Sequence, residues 1–359
     1  MNEVPMQALP RRASLTRLPL VTLYLSERCN SRCVTCDYWR YGHADLDLAS
    51  VERLLPSLAD LRTEVVLISG GEPLLNPEWV DIAQLLRSHG LKLWLLTSGL
   101  SLAKHARRVT ELFDAVTVSL DGTNSETYAA IRGLDAFDKV CEGIRALTNA
   151  GAQVSIRVTL QRANYREMPG FVTLARQLGV RQVSFLAVDV ANPHAFGRVS
   201  EFTAAVALQI EDLPVFAQVL DCLEKEHEAA FRSGLIAESP QKLRRLLQYF
   251  AAVVGRADFP PVRCNAPEFS AVVGVSGRVQ PCFFIPGPPA APVHPDLQLM
   301  LNSDSMSALR ADIRERRRAE CARCVCSMWR APDTFADADF LLPQTGFGLN
   351  DTAESGRGR

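Results

Sequence analysis

The feature that most constrains the fold is an alternation, between residues 20 and 190, of short apolar segments with longer amphipathic ones. The pattern predicts strands at 20–26, 64–69, 91–97, 115–121, 153–160 and 183–188. Helices are predicted between the strands, for example at 48–60, 77–89 and 135–150. Strands that alternate with helices form a parallel sheet whose crossovers cover its faces. Six such units predict an α/β fold, a partial (β/α)6 TIM-like barrel.

Two of the predicted strands carry polar residues along one face only. Side chains alternate between the two faces of a strand, so the polar face follows directly from the sequence. It holds Thr117, Ser119 and Asp121 in the fourth strand, and Ser155, Arg157 and Thr159 in the fifth. We expect this face to line a barrel interior that holds a polar ligand. The alternative is a sheet with one solvent-exposed face.

After residue 190 the regular alternation ends. We predict a loop at 191–200, a hairpin within 270–282, and helices at 203–233, 240–255 and 305–318. The expected domains are an N-terminal extension at 1–17, the barrel at 18–190, a helical connector at 191–260, a cysteine-rich domain at 261–330 and a C-terminal tail at 331–359. About ten residues at the end of that tail are expected to be disordered.

Composition limits the functions that are open to the chain. Of its 359 residues, 47% are hydrophobic and 22% are charged, which excludes a wholly disordered or collagen-like protein. The 39 Lys and Arg nearly balance the 40 Asp and Glu, so no basic surplus indicates a nucleic-acid partner. No apolar run has the length of a signal peptide or a membrane span. We therefore expect a cytoplasmic protein with neither a nucleic-acid nor a membrane partner.

Ten cysteines in a reducing compartment favour metal ligands or catalytic groups over disulfides. Three of them, Cys29, Cys33 and Cys36, follow the first strand with the spacing C-x3-C-x2-C. A tetrahedral zinc site or an ordinary four-iron cluster takes four protein ligands, and no fourth Cys or His lies close by, although His43 is seven residues further on. An open metal position is typical of a catalytic site. A zinc site remains the alternative.

Further motifs follow the cysteine triplet in a fixed order. They are Ser69-Gly70-Gly71-Glu72-Pro73, Thr97-Ser98-Gly99, Ser119-Leu120-Asp121-Gly122, Ile131-Arg132-Gly133 and Phe137-Asp138-Lys139. Together with the C-x3-C-x2-C loop, this order resembles the radical S-adenosylmethionine (radical SAM) superfamily. The resemblance implies a [4Fe-4S] cluster on Cys29, Cys33 and Cys36, whose open iron chelates SAM. It also implies reductive cleavage of SAM to methionine and a 5′-deoxyadenosyl radical, which abstracts hydrogen from a substrate.

The resemblance also assigns roles to polar residues around SAM. Gly70, Gly71, Glu72 and Pro73 would meet the SAM ammonium group, because glycines permit close backbone approach and a carboxylate pairs with an ammonium; a glycine-rich turn before a helix is the alternative. Ser98 belongs to the motif at the end of the third strand. The SAM ribose and carboxylate would be contacted by Ser119, Asp121 and Arg157, each of which could instead be an interior polar residue with protein partners. Relatives usually carry an aromatic residue where this chain has Thr35, and Tyr38 or Trp39 would replace it near the adenine.

A second group of cysteines lies near the C-terminus. The spacing Cys264-x12-Gly277-x4-Cys282, followed by Cys321-x2-Cys324, resembles the C-terminal extension called SPASM or its shorter form, twitch. Full SPASM extensions carry seven cysteines, and only five occur here, so the resemblance implies a small twitch-like domain with one auxiliary [4Fe-4S] cluster. Cys326 could replace Cys324 as a ligand. A structural zinc site is the alternative, since Cys-x2-Cys pairs are common zinc ligands.

These expectations lead to a function. We predict a radical SAM enzyme of natural-product or cofactor biosynthesis that dehydrogenates, epimerises or decarboxylates a small polar metabolite. We expect the substrate at the C-terminal rim of the strands, near Asp189, Asn192, His194 and Arg198, and an electron donor such as flavodoxin or ferredoxin. Maturation of a ribosomally made peptide is the second hypothesis; only about 18 residues precede the barrel, too few for a leader-recognition domain. The third is a zinc- or cluster-binding regulatory module without catalysis.

Overall fold

A computed structural model describes residues 14–190, 192, 195–198, 204–288 and 296–330. The extension at 1–13, the tail at 331–359 and His194 lie outside the described residues, so what the sequence predicts for them is left as a prediction.

One mixed sheet organises the described residues. It has eight strands in the order β6-β5-β4-β3-β2-β1-β7-β8. The strands are β1 (Leu20–Ser26), β2 (Val65–Gly70), β3 (Lys92–Thr97), β4 (Ala115–Ser119), β5 (Val154–Leu160), β6 (Gln182–Ala187), β7 (Ser270–Val273) and β8 (Val279–Gln280). The first six pair in parallel with their sequence neighbours, which confirms the predicted α/β barrel architecture.

Helices follow most strands and cover the sheet. They are α1 (Tyr38–Tyr41), α2 (Leu48–Asp60), α3 (Trp79–Ser88), α4 (Leu102–Leu112), α5 (Ser125–Arg132), α6 (Phe137–Asn149), α7 (Met168–Gln177), α8 (Leu213–Glu226), α9 (Glu228–Arg232), α10 (Pro240–Val253), α11 (Leu297–Leu301), α12 (Asp304–Arg314) and α13 (Ala319–Ala322). Side chains cap several starts: Asp47 accepts from Ser50 N before α2, and Asn124 accepts from Thr127 N before α5.

The burial of β5 explains its sequence pattern. Val154, Ile156 and Val158 are at most 1% exposed, whereas the alternate positions, including Arg157, are half-buried. In β4 the same alternation leaves Ser119 half-buried, and Ser119 pairs in register with Arg157 on β5. The apolar face packs into the core and the polar face remains partly accessible, as the strand pattern predicts.

The predicted helix at 203–233 is wrong as a continuous element. The described part of this segment contains 3-10 turns at Ala204–Val206 and Ile210–Asp212 before α8 begins. Pro214 lies in the first turn of α8, where a backbone N–H would have no acceptor within the helix. Proline is therefore favoured at this position, and a new helix begins there. The predicted helix at 305–318 also ends early, at Arg314, because Arg316 adopts a left-handed φ of 57°.

The predicted C-terminal hairpin is present and extends the main sheet. Strands β7 and β8 pair antiparallel, and Gly277 in their connection has a φ of 75°, a conformation that glycine adopts without strain. Strand β7 also pairs in parallel with β1, with Leu20 opposite Ser270. The strand between Cys264 and Cys282 of the second cysteine group is thus hydrogen-bonded to the strand that precedes the first group.

In the described part of the chain, no helix combines the length and the apolar character that a membrane span requires. All ten cysteines are free thiols.

Asn76 holds the start of the barrel together, and its removal should destabilise the fold. Its amide Nδ2 donates to Leu25 O and to Leu46 O, both at 2.8 Å, and its Oδ1 accepts from Glu78 N at 2.8 Å. The residue is 1% exposed, so water cannot replace these bonds. We expect Asn76→Ala to lower the free energy of unfolding by about 2–4 kcal/mol in urea denaturation of the reduced chain.

The exposed Asn149 at the end of α6 provides a matched control. Asn149→Ala should change the same free energy by less than about 0.5 kcal/mol. Equal effects of the two substitutions would contradict the role given to Asn76.

Candidate active site

The first cysteine loop lies at the carboxyl end of β1 and is held from one side by α5. Arg32 N donates to Arg132 O at 2.9 Å, and Val34 N donates to Ile131 O at 3.0 Å. Gly133 ends α5 with a φ of 74°, and a Cβ there would lie 2.3 Å from Arg32 O. Only glycine permits this contact, which explains the Ile-Arg-Gly sequence at the end of α5.

The end of β2 holds the same loop from the other side. Glu72 N donates to Arg28 O at 2.8 Å, and Gly71 N donates to Ser26 O at 2.7 Å. A Cβ on Gly71 would lie 2.5 Å from Arg28 O, and a Cβ on Gly70 would lie 2.3 Å from Ser26 O. The two glycines that sequence reasoning assigned to SAM therefore have a second role, which is close packing against the backbone that leads into the cysteine loop.

Glu72 is fully buried, and its carboxylate accepts hydrogen bonds from the end of β3. Thr97 Oγ1 donates to it at 2.8 Å, Ser98 N at 2.7 Å and Ser98 Oγ at 2.6 Å, while Leu74 N donates at 3.2 Å. The Ser98 hydroxyl also lies 3.2 Å from Asn30 Oδ1 in the cysteine loop. The contact between Glu72 and the Thr-Ser pair was not predicted, although both motifs follow neighbouring parallel strands and so end at the same edge.

Asp121 is buried and bound to the protein on both carboxylate oxygens. Arg132 Nη1 lies 3.1 Å from Oδ2, and Thr159 N donates to Oδ1 at 2.7 Å. Burial raises the pKa of this carboxyl, while Arg132 and the Thr159 N–H oppose that rise. Asp121 thus has protein partners on both carboxylate oxygens, and its predicted contact with SAM stays a prediction. Ser119 and Arg157 lie beside each other on the accessible face of β4 and β5.

Burial controls the chemistry of the first three thiols. It raises the pKa of Cys29 to about 11 and that of Cys36 to about 12, and it raises the pKa of Cys33 as well, with Arg132 acting in the opposite direction in each case. The thiols are therefore protonated at neutral pH in the metal-free chain, and metal binding must release their protons.

Two buried donors at this loop fit an anionic ligand. The Ser31 hydroxyl and the Arg132 Nε–H have no hydrogen-bond partner among the described residues. An unsatisfied buried donor is costly, and sulfur atoms of a thiolate-bound cluster would accept from both. In the same described part of the chain, no three Cys, His, Asp or Glu side chains are placed to hold one metal ion. The thiols of a four-iron cluster each bind a different iron atom, so a cluster does not require three side chains to meet at one metal ion.

The aromatic residues after the third cysteine face inward. Tyr38 packs edge-on against Tyr24 of β1, with ring centroids 6.1 Å apart. Trp39 Nε1 donates to Cys33 O at 3.3 Å and so closes the cysteine loop on itself. The predicted contact of either ring with an adenine stays a prediction.

The second cysteine group surrounds one cavity of about 30 Å³. Its lining includes all five C-terminal cysteines, Cys264, Cys282, Cys321, Cys324 and Cys326. Burial raises the pKa of Cys282 to about 12 and that of Cys321 to about 11. Asn265 fixes the returning chain, since its N donates to Met328 O at 2.9 Å and its Nδ2 to Arg330 O at 2.7 Å. The four predicted ligands and the predicted substitute are thus brought together.

Residues from the loop after β6 have two different roles. Asp189 and Asn192 line a cavity of about 200 Å³ together with Phe284, Ala319, Glu320, Arg323 and Cys324. Arg198, also expected near the substrate, is 7% exposed and instead donates to Asp189 O at 2.7 Å and to Asn192 O at 2.9 Å. It therefore fixes the shape of the loop.

Comparison with known proteins agrees with this geometry. Residues 23–175 match the family model described as the Radical SAM superfamily. A Fe-coproporphyrin III synthase of Methanosarcina barkeri is 27% identical over 62% of this chain and 56% of that protein. A pre-heme d1 synthase of Dinoroseobacter shibae is 32% identical over 48% of this chain and 44% of that protein. The chain thus spans about half the length of these curated relatives.

Solved structures show the same fold at low sequence identity. SuiB of Streptococcus suis bound to S-adenosylmethionine has a TM-score of 0.63 and 14% identity, over 88% of this chain and 74% of that one. The protein anSMEcpe, bound to AdoMet and a Cp18Cys peptide, has a TM-score of 0.62 and 17% identity, over 86% of this chain and 89% of that one. The family match, the fold and the ordered motifs agree: residues 23–175 form a radical SAM domain.

Proposed function

We propose that this chain binds a [4Fe-4S] cluster through Cys29, Cys33 and Cys36 and uses it to cleave SAM. The main support is a loop of three thiols that backbone contacts hold on both sides. Two buried donors beside these thiols, Ser31 Oγ–H and Arg132 Nε–H, have no hydrogen-bond partner in the described residues. When bound, such a cluster supplies the electron that splits SAM into methionine and a 5′-deoxyadenosyl radical.

The residues at the carboxyl ends of β2 to β5 would bind SAM. Because Thr97 and Ser98 already donate to the Glu72 carboxylate, we assign the SAM ammonium to the main chain of the segment Gly70–Pro73 rather than to that carboxylate. Ser119 and Arg157, half-buried neighbours on β4 and β5, are our candidates for the ribose and carboxylate contacts. Asp121 acts indirectly, through Arg132.

We further propose an auxiliary [4Fe-4S] cluster on Cys264, Cys282, Cys321 and either Cys324 or Cys326. The support is that all five thiols line one cavity, which four cluster ligands require. Four thiolates leave no iron open to substrate, so this site would transfer electrons or stabilise the extension. A zinc ion on four of the same thiols is the alternative.

The proposed substrate is a small polar metabolite that is bound beside the second cysteine site. The cavity of about 200 Å³ beside Cys324 offers carboxylate, amide and guanidinium groups from Asp189, Asn192, Glu320 and Arg323. Such a site fits a compact polar molecule. A cytoplasmic location and a flavodoxin or ferredoxin as electron donor complete the proposal. The relatives of this chain include proteins named Fe-coproporphyrin III synthase, pre-heme d1 synthase and probable GTP 3′,8-cyclase, and these names refer to small molecules.

A peptide substrate is the second candidate. One structure similar to this chain is SuiB bound to its precursor peptide SuiA, with a TM-score of 0.62, and the anSMEcpe structure also contains a peptide. Deuterated candidate substrates of both classes would distinguish them. Transfer of deuterium into 5′-deoxyadenosine identifies the class that provides the abstracted hydrogen.

Removal of one thiol of the first group tests the proposed SAM cleavage. We expect Cys29→Ala to abolish 5′-deoxyadenosine formation, measured by chromatography after anaerobic reconstitution and chemical reduction, because a cluster with two remaining ligands is not held. Cys222→Ala on α8, a thiol outside both groups, should leave the product yield unchanged. Unchanged SAM cleavage by Cys29→Ala would refute the proposal, and a zinc-bound or non-catalytic module would form no 5′-deoxyadenosine in the wild type.

Iron content tests the auxiliary site separately. We expect about eight irons per chain after anaerobic reconstitution, and about four in the Cys264→Ala/Cys282→Ala variant, since a four-iron cluster needs its thiolates. Comparison of Cys324→Ala with Cys326→Ala then identifies the fourth ligand as the one whose loss removes iron. An equal iron count in wild type and double variant would rule out the auxiliary cluster, and one zinc per chain at the same site would favour the alternative.

A further inference from the structure

We propose that Arg132, oriented by Asp121, raises the reduction potential of the first cluster by placing a buried positive charge beside its ligands. The inference rests on the proposed function, because it concerns the cluster assigned above to Cys29, Cys33 and Cys36. It goes beyond that function by assigning a residue pair that sets how easily the cluster accepts an electron.

Arg132 is fixed at the cysteine loop by its backbone. It is the last residue of α5, and its carbonyl accepts from Arg32 N at 2.9 Å, between the first and second cysteines of the loop. Cys33 lies between Arg32 and Val34, whose N–H groups both donate to the end of α5, to Arg132 O and to Ile131 O, and the positive charge of Arg132 lowers the pKa of the Cys33 thiol against the larger effect of burial. The Arg132 side chain is 12% exposed, so solvent screens this charge only weakly.

Asp121 gives the guanidinium its orientation. The Nη1–Oδ2 distance is 3.1 Å, and the carboxylate is itself held by Thr159 N at 2.7 Å, while Asn164 Nδ2 donates to Asp121 O at 2.9 Å. The side chain of Asp121 is 4% exposed, so the ion pair is buried. With one edge of the guanidinium held on the carboxylate, the Nε–H has no partner in the described residues. Both charges act on the Cys33 thiol, and the effect of Arg132 on its pKa is the larger of the two.

The charge arrangement fixes the sign of the effect. Reduction adds a negative charge to a cluster that already bears thiolates, and a nearby cation stabilises the reduced form more than the oxidised one. Hydrogen bonds and net charge around the sulfurs are recognised determinants of cluster potential. Asp121 offsets part of the effect because it bears the opposite charge, and it raises the pKa of Cys33 by less than Arg132 lowers it.

Another buried arginine nearby does not have this arrangement. Arg198 also contacts the cysteine loop, where its Nε and Nη2 donate to Thr35 O at 3.4 Å, but its shorter hydrogen bonds go to Asp189 O at 2.7 Å and Asn192 O at 2.9 Å. It lies within 3.8 Å of the Asp189 carboxylate as well. The donors of Arg198 are therefore used by main-chain carbonyls of the loop after β6 and of Thr35, whereas the Arg132 Nε–H has no hydrogen-bond partner among the described residues.

The test is a redox titration of the reconstituted full-length chain without SAM or substrate, followed by electron paramagnetic resonance. The signal of the first cluster is the one that Cys29→Ala loses. We expect Arg132→Gln to lower the midpoint potential, with the reduced-to-oxidised ratio at a fixed potential falling by roughly tenfold. Such a change corresponds to about 59 mV for a one-electron couple. Arg132→Lys, which keeps the charge, should recover most of the potential.

Asp121→Asn gives a prediction of opposite sign. Asparagine still accepts from Thr159 N but leaves the guanidinium without its counter-charge, so the midpoint potential should rise. A purely structural role for the pair would lower iron content in both variants and would not move the potentials in opposite directions. Arg107→Gln, which removes a charge that is 89% exposed on α4, is the matched control and should leave the potential unchanged.

The outcomes separate this inference from the proposed function. Opposite shifts in Arg132→Gln and Asp121→Asn support it. Unchanged potentials in both, with the iron content and the signal of the first cluster intact, overturn it while leaving SAM cleavage in place. If Arg132→Gln retains no iron, the midpoint potential of the first cluster in Asp121→Asn tests the inference. A lower or unchanged potential in Asp121→Asn then overturns it. Absence of a cluster on the first cysteine group in the wild type would instead overturn the proposed function.

Discussion

The site depends on close backbone packing of the first cysteine loop between the end of β2 and the end of α5. Gly71 and Gly133 are the two contact points, where a Cβ would lie 2.5 Å from Arg28 O and 2.3 Å from Arg32 O. These contacts hold the loop in place before any metal binds. The conformational entropy lost in ordering the loop is therefore not subtracted from the binding free energy of the metal. Ser31 in the loop and Arg132 on α5 also keep buried donors without a hydrogen-bond partner among the described residues, a cost that a bound acceptor would remove.

Much of the barrel could be predicted because its signals are local. Strand and helix periods repeat within a few residues, and each of the six predicted strands lies within two residues of an observed one. The pairing of β7 with β1 joins residues about 250 positions apart, such as Leu20 and Ser270, and no local pattern encodes that register. The early end of α12 was missed for a related reason, since a left-handed Arg316 has no distinctive sequence signal.

The site shows the same division between local and long-range information. The spacing of Cys29, Cys33 and Cys36 is local, and the five C-terminal cysteines that the sequence grouped line one cavity, while cluster binding by either group stays a prediction. The partners of polar residues depend on which strand ends meet: Glu72 contacts Ser98 because β2 and β3 are neighbours, and Asp121 contacts Arg132 across a loop and a helix. The family resemblance assigned these carboxylates to a ligand, and the hydrogen bonds show that each has protein partners. The parallel order of the strands was the signal from which the contact of Glu72 with Ser98 could have been inferred.

The sheet topology also fixes how far apart the two cysteine sites lie. Strand β1 leads into the first cysteine loop, and β7, hydrogen-bonded beside it, leads through the hairpin to Cys282. Between the two sites Tyr24 stacks on Phe283 with ring centroids 6.5 Å apart, and Phe196 packs edge-on against Phe284 at 5.9 Å. A shift of the extension relative to the barrel would have to break the β1–β7 ladder and both aromatic contacts. The separation of the two sites is therefore set by the same hydrogen bonds that complete the sheet.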